Sequence, residues 1–556
     1  MKTLRRSICM LAVLSACISA VSAQSMEERF KSYRQDVMAK FNASREDMET
    51  RFSTFRDSVN SRFADFLKNA WESADMNKAI PQPVKPEPKP VIDTTKALSS
   101  NPLPFLPPAP VAPKPVDPEA ENQTPMVPKP VEPKPVEPQP VVPQPVVPEP
   151  VVPEPVAPKP VQPEPVKPAP VAPKPVQPKP VIPEPVAPQP KQPQPDESYF
   201  AFQYYGETCK VHLPKTAGYS IDAATNDAAS AAWEILTSGP YDSYILDCLQ
   251  YRKKLSLCDW GLYQFILHTS RSYFGDESRN DAVLFRVYAL SQLGYKVRLG
   301  IRDGKFINLV AIDEAVFGKS YLTIDGRKFY LLESKPGSYS LKLCNFAFPQ
   351  ERAASLDAGS LPVLPKNQTA KKHVQSKAYP SVAVDVSVNR NLMAFMDTYP
   401  GCSWELFAQA SLSPEVKAQM YPPLRKAVAG RSEAEAANIL INLIQTGFQY
   451  KTDGDQFGRE KTFFGDEAFF YPYCDCEDRS VLYAILVKDL LGLDVVLLEY
   501  PTHIATAVCF KEDVRGDYFN IDGKKYVICD PTYIGASIGK SMPDMRKLNA
   551  KIHKVR

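Results

Sequence analysis

The stretch DRSVLYAILVKDLLGLDVVLLEYPTHIATAVCF, residues 478–510, determines how the C-terminal part of the chain folds. Apolar side chains such as Val481 and Ile485 recur at helical spacing until Gly492, a residue type that commonly ends a helix. Strand-forming residues follow, and Asp522-Gly523 is a strong hairpin signal between the last two runs. We therefore predict a helix at residues 476–491 and strands at residues 494–500, 504–510, 518–521 and 525–529.

A second stretch, NDAVLFRVYALSQLGYKVRLGIRDGKFINLVAI at residues 280–312, repeats this pattern. Gly294 matches Gly492, and Asp325-Gly326 matches Asp522-Gly523 with one residue of slippage. Two tandem copies of one fold are the simplest explanation. The predicted fold class is α+β, with one helix packed on an antiparallel sheet in each of two domains, residues 197–365 and 366–556.

The start of the second helix carries residues suited to nucleophilic chemistry, in Cys474-Asp475-Cys476-Glu477-Asp478-Arg479-Ser480. Asp475 and Asp478 form a capping-box-like pair, which places Cys476 at the helix N-terminus. Unpaired N–H groups and the helix dipole favour a thiolate there. The sequence therefore predicts Cys476 as a nucleophile, with Cys474 as the alternative.

A nucleophilic thiol needs a base and a group that orients the base. Of the five histidines, His503 opens the strand directly after the cysteine helix. Asp530 ends the strand after the Asp522-Gly523 turn and precedes Pro531-Thr532. We predict a Cys476, His503 and Asp530 triad, although Asp-Pro-Thr is also good turn chemistry by itself.

This order of residues resembles the transglutaminase-like superfamily, and Asp475-Cys476-Glu477-Asp478 is similar to the nucleophile motif of bacterial transglutaminase-like cysteine proteinases. The resemblance implies two papain/transglutaminase-like domains and acyl transfer through a thioester on a protein or peptide substrate. It favours a cysteine peptidase or amidase. A protein-glutamine transglutaminase and a non-catalytic envelope scaffold are the alternatives. No cofactor is expected, except that the related proteinases imply a Ca²⁺ site at Asp475, Glu477 and Asp478.

The first copy carries different groups at the three matching positions, namely Ser278, Lys305 and Glu333. Its apolar residues persist, so we predict that it keeps the fold without the chemistry. A Ser278–Lys305 dyad would need a desolvated lysine, and the sequence gives no sign of one.

The N-terminus reads as an export signal. Basic residues precede a short apolar run at residues 8–20, and Val21-Ser22-Ala23 is a small-x-small cleavage site. Leu14-Ser15-Ala16-Cys17 also fits a lipoprotein site, which would anchor the chain through Cys17. We predict a signal peptide at residues 1–23 and an exported protein, periplasmic or secreted.

Two further segments separate this signal from the domains. Residues 24–78 include a helical region with an 11-residue repeat of Phe30, Phe41, Phe52 and Phe63, which predicts self-association or an envelope partner through residues 26–76. The alternative is a helix lying on the protein's own domain. Residues 79–196 hold most of the 57 prolines and predict a polyproline II spacer. The net charge of +3 gives no reason to expect nucleic acid, and no stretch predicts a transmembrane helix.

Overall fold

The computed structural model describes residues 53–69, 71–83, 91–94, 102–106 and 199–555. The predicted signal peptide, the first part of the repeat helix and most of the predicted spacer lie outside the described residues. Within them, no helix combines the length and the apolar character needed to cross a bilayer. Helices and antiparallel sheets occur together, which agrees with the predicted α+β class.

The first half of the described chain contains five helices and nine strands. Residues 53–67 form helix α1. The other helices are α2 (Asn226–Leu236), α3 (Asp242–Lys254), α4 (Asp259–Phe274) and α5 (Asn280–Gln292). The strands are β1 (Glu72–Asp75), β2 (Phe105–Leu106), β3 (Tyr199–Tyr204), β4 (Glu207–His212), β5 (Val297–Arg302), β6 (Lys305–Ala311), β7 (Tyr321–Ile324), β8 (Arg327–Tyr330) and β9 (Ser340–Cys344).

The second half begins with two short strands and ends on a long antiparallel sheet. Its helices are α6 (Arg390–Met396), α7 (Trp404–Gln409), α8 (Pro414–Val428), α9 (Glu433–Gly447), α10 (Asp453–Phe457) and α11 (Cys476–Leu486). Its strands are β10 (Lys372–Gln375), β11 (Ala383–Val386), β12 (Gln449–Tyr450), β13 (Tyr473–Cys474), β14 (Asp494–Tyr500), β15 (His503–Cys509), β16 (Tyr518–Ile521), β17 (Lys524–Cys529) and β18 (Ala550–Lys554).

Two six-stranded sheets dominate the molecule, and their strands follow the same order. The first sheet reads β1-β9-β5-β6-β8-β7, and the second reads β2-β18-β14-β15-β17-β16. In the first sheet, β5 follows the helix and pairs with β6 on one side and β9 on the other. In the second sheet, β14 pairs in the same way with β15 and β18. In each sheet, a short strand from the N-terminal part of the chain completes one edge. This strand is β1, which precedes the predicted spacer, in the first sheet and β2, which lies within the predicted spacer, in the second.

Local sequence explains the elements around the predicted site. Every side chain of α11 is buried, and a π-helical turn at Val487–Leu491 extends the helix to Gly492, whose φ is +65°. The turn at Asp522 and Gly523 has φ values of +49° and +76°, as a type I′ hairpin requires. Tyr500 pairs with His503 at the β14–β15 turn, so His503 lies at the very start of its strand.

Helix α1 packs against the first half of the chain itself. The Phe63 ring lies 4.4 Å from the Trp233 ring in an edge-to-face arrangement, and the hydroxyl of Ser230 donates to the carbonyl of Ala64 at 2.8 Å. Phe63 and Leu67 are buried in this core. For residues 53–67, the apolar stripe therefore covers the protein's own domain, which was the alternative interpretation. The earlier residues of the repeat lie outside the described residues.

Candidate active site

His503 and Asp530 meet in the interior of the second sheet. The Nε2 atom of His503 lies 2.9 Å from Oδ2 of Asp530. His503 is 0% exposed, so no water competes for this contact. The other ring nitrogen, Nδ1, is also buried and has no hydrogen-bond partner among the described residues. Because buried polar atoms are nearly always paired, an imidazole held on one side and unpaired on the other is typical of a functional position.

The loop that carries Asp530 holds the carboxylate in a fixed orientation. Its second oxygen, Oδ1, accepts from the backbone N–H groups of Thr532 at 2.9 Å and Tyr533 at 3.2 Å. Pro531, which directly follows Asp530, has no N–H to offer. The turn chemistry anticipated for Asp-Pro-Thr is therefore present, and it leaves the Oδ2 atom of Asp530 available to His503.

Gln445, on helix α9, fixes the same loop from the interior. Its Nε2 donates to the carbonyls of Asp530, Tyr533 and Ala536 at 2.8 to 3.0 Å, and its Oε1 accepts from Gly535 at 3.2 Å. Sequence reasoning missed this residue, because a single glutamine on an apolar helix gives no sign of which distant loop it satisfies.

Cys476 is the first residue of α11 and lies against the start of β15. One turn further along the helix, the hydroxyl of Ser480 donates to the carbonyl of Ile504 at 3.1 Å, which fixes this helix turn beside the residue that follows His503. The thiol of Cys476 donates to Oε2 of Glu477 at 3.1 Å. Cys476 is only 2% exposed, so an amide substrate reaches the sulfur only if covering residues move.

The electrostatics of Cys476 differ from the expectation for a helix start. Burial raises the pKa of the thiol well above its usual range, and the neighbouring carboxylates of Glu477 and Asp475 raise it further. A backbone hydrogen bond from Ile504 acts in the opposite direction. The helix N-terminus therefore does not by itself produce a reactive thiolate in this state, because the sequence also places two acids beside the sulfur.

Those acids belong to a buried cluster that includes one residue from outside the motif. Carboxylate oxygens of Asp453, Asp475 and Glu477 lie within 4.8 Å of one another. Burial and the charge of Glu477 raise the pKa of Asp453 to about 8, and burial with the charges of Glu477 and Asp478 raises the pKa of Asp475. The cluster is therefore unstable as three free carboxylates, and a cation or protons must offset its charge.

This donor set fits a hard divalent cation such as Ca²⁺. Carboxylate oxygens are the ligands that Ca²⁺ prefers, and Oδ1 of Asp475 is buried without a hydrogen-bond partner in the described residues. Asp478, which the resemblance implied as a ligand, lies outside this set. It accepts instead from the backbone N–H groups of Phe463 at 2.9 Å and Asp475 at 3.2 Å. Asp453 was not foreseen, because it comes from a five-residue helix more than twenty residues before the motif.

Tyr450 lies among the groups that surround the thiol. Burial raises the pKa of its phenol, and the charges of Cys476, Asp475 and Glu477 add to the effect. The guanidinium of Arg479 lies 5.2 Å from the centre of its ring. Tyr450 therefore lies close to both the sulfur and the acidic cluster.

The matching positions in the first half do not form a comparable site. Lys305 is exposed at the start of β6, and Ser278 is exposed before α5 begins. Glu333 accepts a hydrogen bond from Tyr263 and lies 3.7 Å from Arg286. A desolvated lysine, which a Ser278–Lys305 dyad would need, is absent at this position of the described chain.

Comparison of the chain with protein-family models, with curated proteins and with solved structures gave no match in any of the three searches.

Proposed function

We propose that this chain is an exported thiol enzyme that acts on amide bonds through Cys476, His503 and Asp530. The observation that carries the proposal is the buried pair of His503 and Asp530, in which one imidazole nitrogen is held and the other is unpaired. An imidazole in this state is oriented to exchange a proton with a neighbouring thiol. Ser480, one turn along the helix from Cys476, donates to the carbonyl of Ile504, the residue after His503, which supports the proximity of the helix start and the imidazole.

In the proposed reaction, the sulfur of Cys476 attacks the carbonyl carbon of the amide while His503 takes the thiol proton. The C–N bond then breaks, and His503 returns that proton to the leaving amine. A thioester remains on Cys476. Water releases it as a carboxylic acid in a peptidase or amidase, whereas a lysine amine would form a new amide in a transglutaminase. Asp530 orients His503 and stabilises the imidazolium.

A cation bound by Asp453, Asp475 and Glu477 belongs to this proposal. When bound, Ca²⁺ would supply positive charge beside the thiol. The carboxylates of Glu477 and Asp475 would then no longer raise the pKa of Cys476 by repulsion, and the sulfur would ionise more easily. The fit of three buried carboxylates supports this role.

We also propose that the two sheets belong to two tandem papain/transglutaminase-like domains, residues 197–365 and 366–556, and that only the second is catalytic. Their shared strand order supports the duplication. The exposed Lys305 supports the loss of chemistry in the first. Residues 1–23 support export to the periplasm or the exterior, and a protein or peptide remains the proposed substrate.

A non-catalytic envelope scaffold is the second candidate function. The burial of Cys476 and His503 favours it, because a closed sulfur cannot meet a substrate without movement. In that case, the acidic cluster would serve stability alone.

Alkylation by iodoacetamide near neutral pH, with calcium present and each cysteine followed by mass spectrometry, distinguishes these functions. We expect Cys476 to react preferentially, and His503→Ala to slow that reaction about 100-fold. The matched control is His373→Ala, since His373 is an exposed histidine on β10 that is paired with Asp385. Uniform slow labelling of the buried cysteines, unchanged by His503→Ala, would contradict the enzyme and favour the scaffold.

A further inference from the structure

The loop that carries Asp530 is held on its outer side by a piece of chain from far upstream. Residues 91–94, which we call the docked segment, lie within the range that the sequence assigns to the spacer. The backbone N–H of Ile534 donates to the carbonyl of Val91 at 2.9 Å, and the N–H of Asp93 donates back to the carbonyl of Ile534 at 2.9 Å. Both backbone polar groups of Ile534 are thus hydrogen-bonded to the docked segment.

The side chain of Asp93 adds two contacts to these backbone hydrogen bonds. Its Oδ1 accepts from the phenol of Tyr533 at 3.0 Å, and its Oδ2 is paired with the ammonium of Lys540. The Asp93 side chain is 5% exposed and that of Lys540 is 13% exposed. A carboxylate this deeply buried is costly unless its partners are held in place, so the contact specifies one seating of the segment.

Three hydrogen bonds in series connect Asp93 to the imidazole of His503. Asp93 holds the phenol of Tyr533, and the backbone N–H of Tyr533 donates to Oδ1 of Asp530. The other oxygen of Asp530 binds Nε2 of His503. Gln445 fixes the same loop from the interior, at the carbonyls of Asp530 and Tyr533. The loop is therefore clamped between α9 on one side and the docked segment on the other.

We infer that Asp93 is a positioning residue for the triad, so that the reactivity of Cys476 depends on the docked segment being seated. The inference rests on the proposed function for its catalytic consequence. Its geometric content, the orientation of His503 through Tyr533 and Asp530, can be measured separately. The docked segment comes from the range predicted as a spacer, so part of the active site is built from outside the domain that carries the nucleophile.

The test compares Asp93→Asn with Asp75→Asn in the full mature chain at fixed pH and calcium concentration. Asp75 is the matched control, because it also lies upstream of both sheets' main strands and accepts a hydrogen bond from Ser340 at 2.6 Å, but on the first sheet. We expect Asp93→Asn to slow alkylation of Cys476 on the order of tenfold, because small displacements of catalytic groups are costly. Asp75→Asn and the conservative Asp93→Glu should differ from the wild type far less.

A second readout follows His503 directly. The chain has five histidines, so nitrogen-15 labelling of histidine gives few signals, and His503→Gln identifies the relevant one. Asp93→Asn should shift or broaden the His503 signal well below the unfolding temperature, and Asp75→Asn should not. If Asp93→Asn weakens folding, Tyr533→Phe removes only the phenol contact and should change the same signal.

Different outcomes test the positioning role of Asp93 and the proposed thiol chemistry of Cys476. Unchanged alkylation and an unchanged His503 signal in both Asp93→Asn and Tyr533→Phe would overturn the positioning role, whatever the wild type does. A wild-type chain with no preferential reaction at Cys476 would overturn the proposed function. The His503 signal would still decide whether Asp93 orients the imidazole.

Discussion

Two groups of buried acids, one in each half of the molecule, are held in different ways. In the first half, Asp259 accepts from Arg352 at 2.6 and 2.9 Å, and Glu351 accepts from Arg298 at 2.7 Å. Burial alone would raise the pKa of Asp259, but the hydrogen bonds from Arg352 lower it. Around α11 in the second half, Asp453, Asp475 and Glu477 lie against one another.

This difference distinguishes a structural ion pair from a site that a ligand, a proton or an ion could complete. A buried acid facing an arginine is already compensated and needs no ligand. A buried cluster of acids beside a thiol, with an unpaired imidazole nitrogen nearby, leaves charge and hydrogen-bonding capacity uncompensated. Proteins keep such arrangements mainly where a substrate, a proton or an ion completes them. The same strand order therefore accompanies a compensated group of buried acids in one half and an uncompensated group in the other.

The largest expected effect comes from a matched pair of variants, Asp530→Asn and Glu333→Gln, at acids that follow the corresponding strands β17 and β8. We expect Asp530→Asn to slow the reaction of Cys476 on the order of 1,000-fold, because an amide no longer holds His503 in the required tautomer. Glu333→Gln should leave that rate unchanged, since Glu333 is engaged by Tyr263 and Arg286. The measurement is the alkylation rate at a fixed pH. Equal rates in the two variants would remove the distinction between the halves.

The next largest expected effect is stabilisation by calcium, which should depend only on the acidic cluster of the second half. At a Ca²⁺ concentration about 100 times the dissociation constant, binding to the folded state should add about 2.7 kcal/mol to the free energy of unfolding. Asp453→Asn should abolish this gain. In EDTA, the same substitution should instead stabilise the chain, because it removes repulsion within the cluster. Thermal unfolding in EDTA and in calcium measures both effects.

Two controls make the calcium test specific. Glu351→Gln disrupts the acid–arginine pair of the first half and should leave the calcium-dependent gain intact. Asp494→Asn, at an exposed acid paired with Lys524, should do the same. A wild-type unfolding temperature that does not respond to Ca²⁺ would show that protons alone compensate the cluster.

Much of the second sheet could be predicted from local sequence. The strand at residues 494–500 was predicted with its observed bounds, and β15 begins one residue earlier than expected. The Asp-Gly turns were recognised because their positive φ values require particular residues. These features depend on neighbours in the chain, which the sequence displays directly.

The contacts that complete the site could not be predicted in the same way. Strand β2 and the docked segment come from the range predicted as a spacer. They bind largely through backbone hydrogen bonds, which leave little side-chain pattern. Gln445 and Asp453 act on partners far away in sequence. The raised pKa of Cys476 comes from tertiary burial, so the helix-start rule alone gave the opposite direction.

A smaller effect concerns His553, which ties strand β18 to α7 and β14. Its two nitrogens lie 2.9 Å from Glu405 and 2.7 Å from Glu499, an arrangement that requires the doubly protonated ring. Burial alone would lower the pKa of His553, but the hydrogen bonds to Glu405 and Glu499 raise it. Lys551, 3.3 Å from Glu499, is the other nearby cation. Strand β9, in the corresponding place of the first sheet, has no histidine.

The stability contributed by His553 is therefore complete below the ordinary histidine pKa of about 6.5 and is lost as pH rises through the raised value. We expect His553→Gln to lower the free energy of unfolding by about 2 kcal/mol at pH 6 and by less at high pH. Urea unfolding across this pH range measures the difference. A cost that stays constant with pH would mean that the ring does not change its charge.

The smallest effect should be equal in the two halves, and it tests whether their resemblance extends to energetics. Gly326 and Gly523 occupy corresponding hairpin turns with φ values of +75° and +76°, and a Cβ added at either would meet no atom within 4 Å. Gly326→Ala and Gly523→Ala should therefore each lower the free energy of unfolding by about 1 kcal/mol, because of backbone strain alone. Unfolding in urea measures both costs. A clearly larger cost at Gly523 would mean that the β16–β17 turn also supports the strand that delivers Asp530. Equal costs would assign the difference between the halves to their buried side chains, because the backbone turns would then be energetically equivalent.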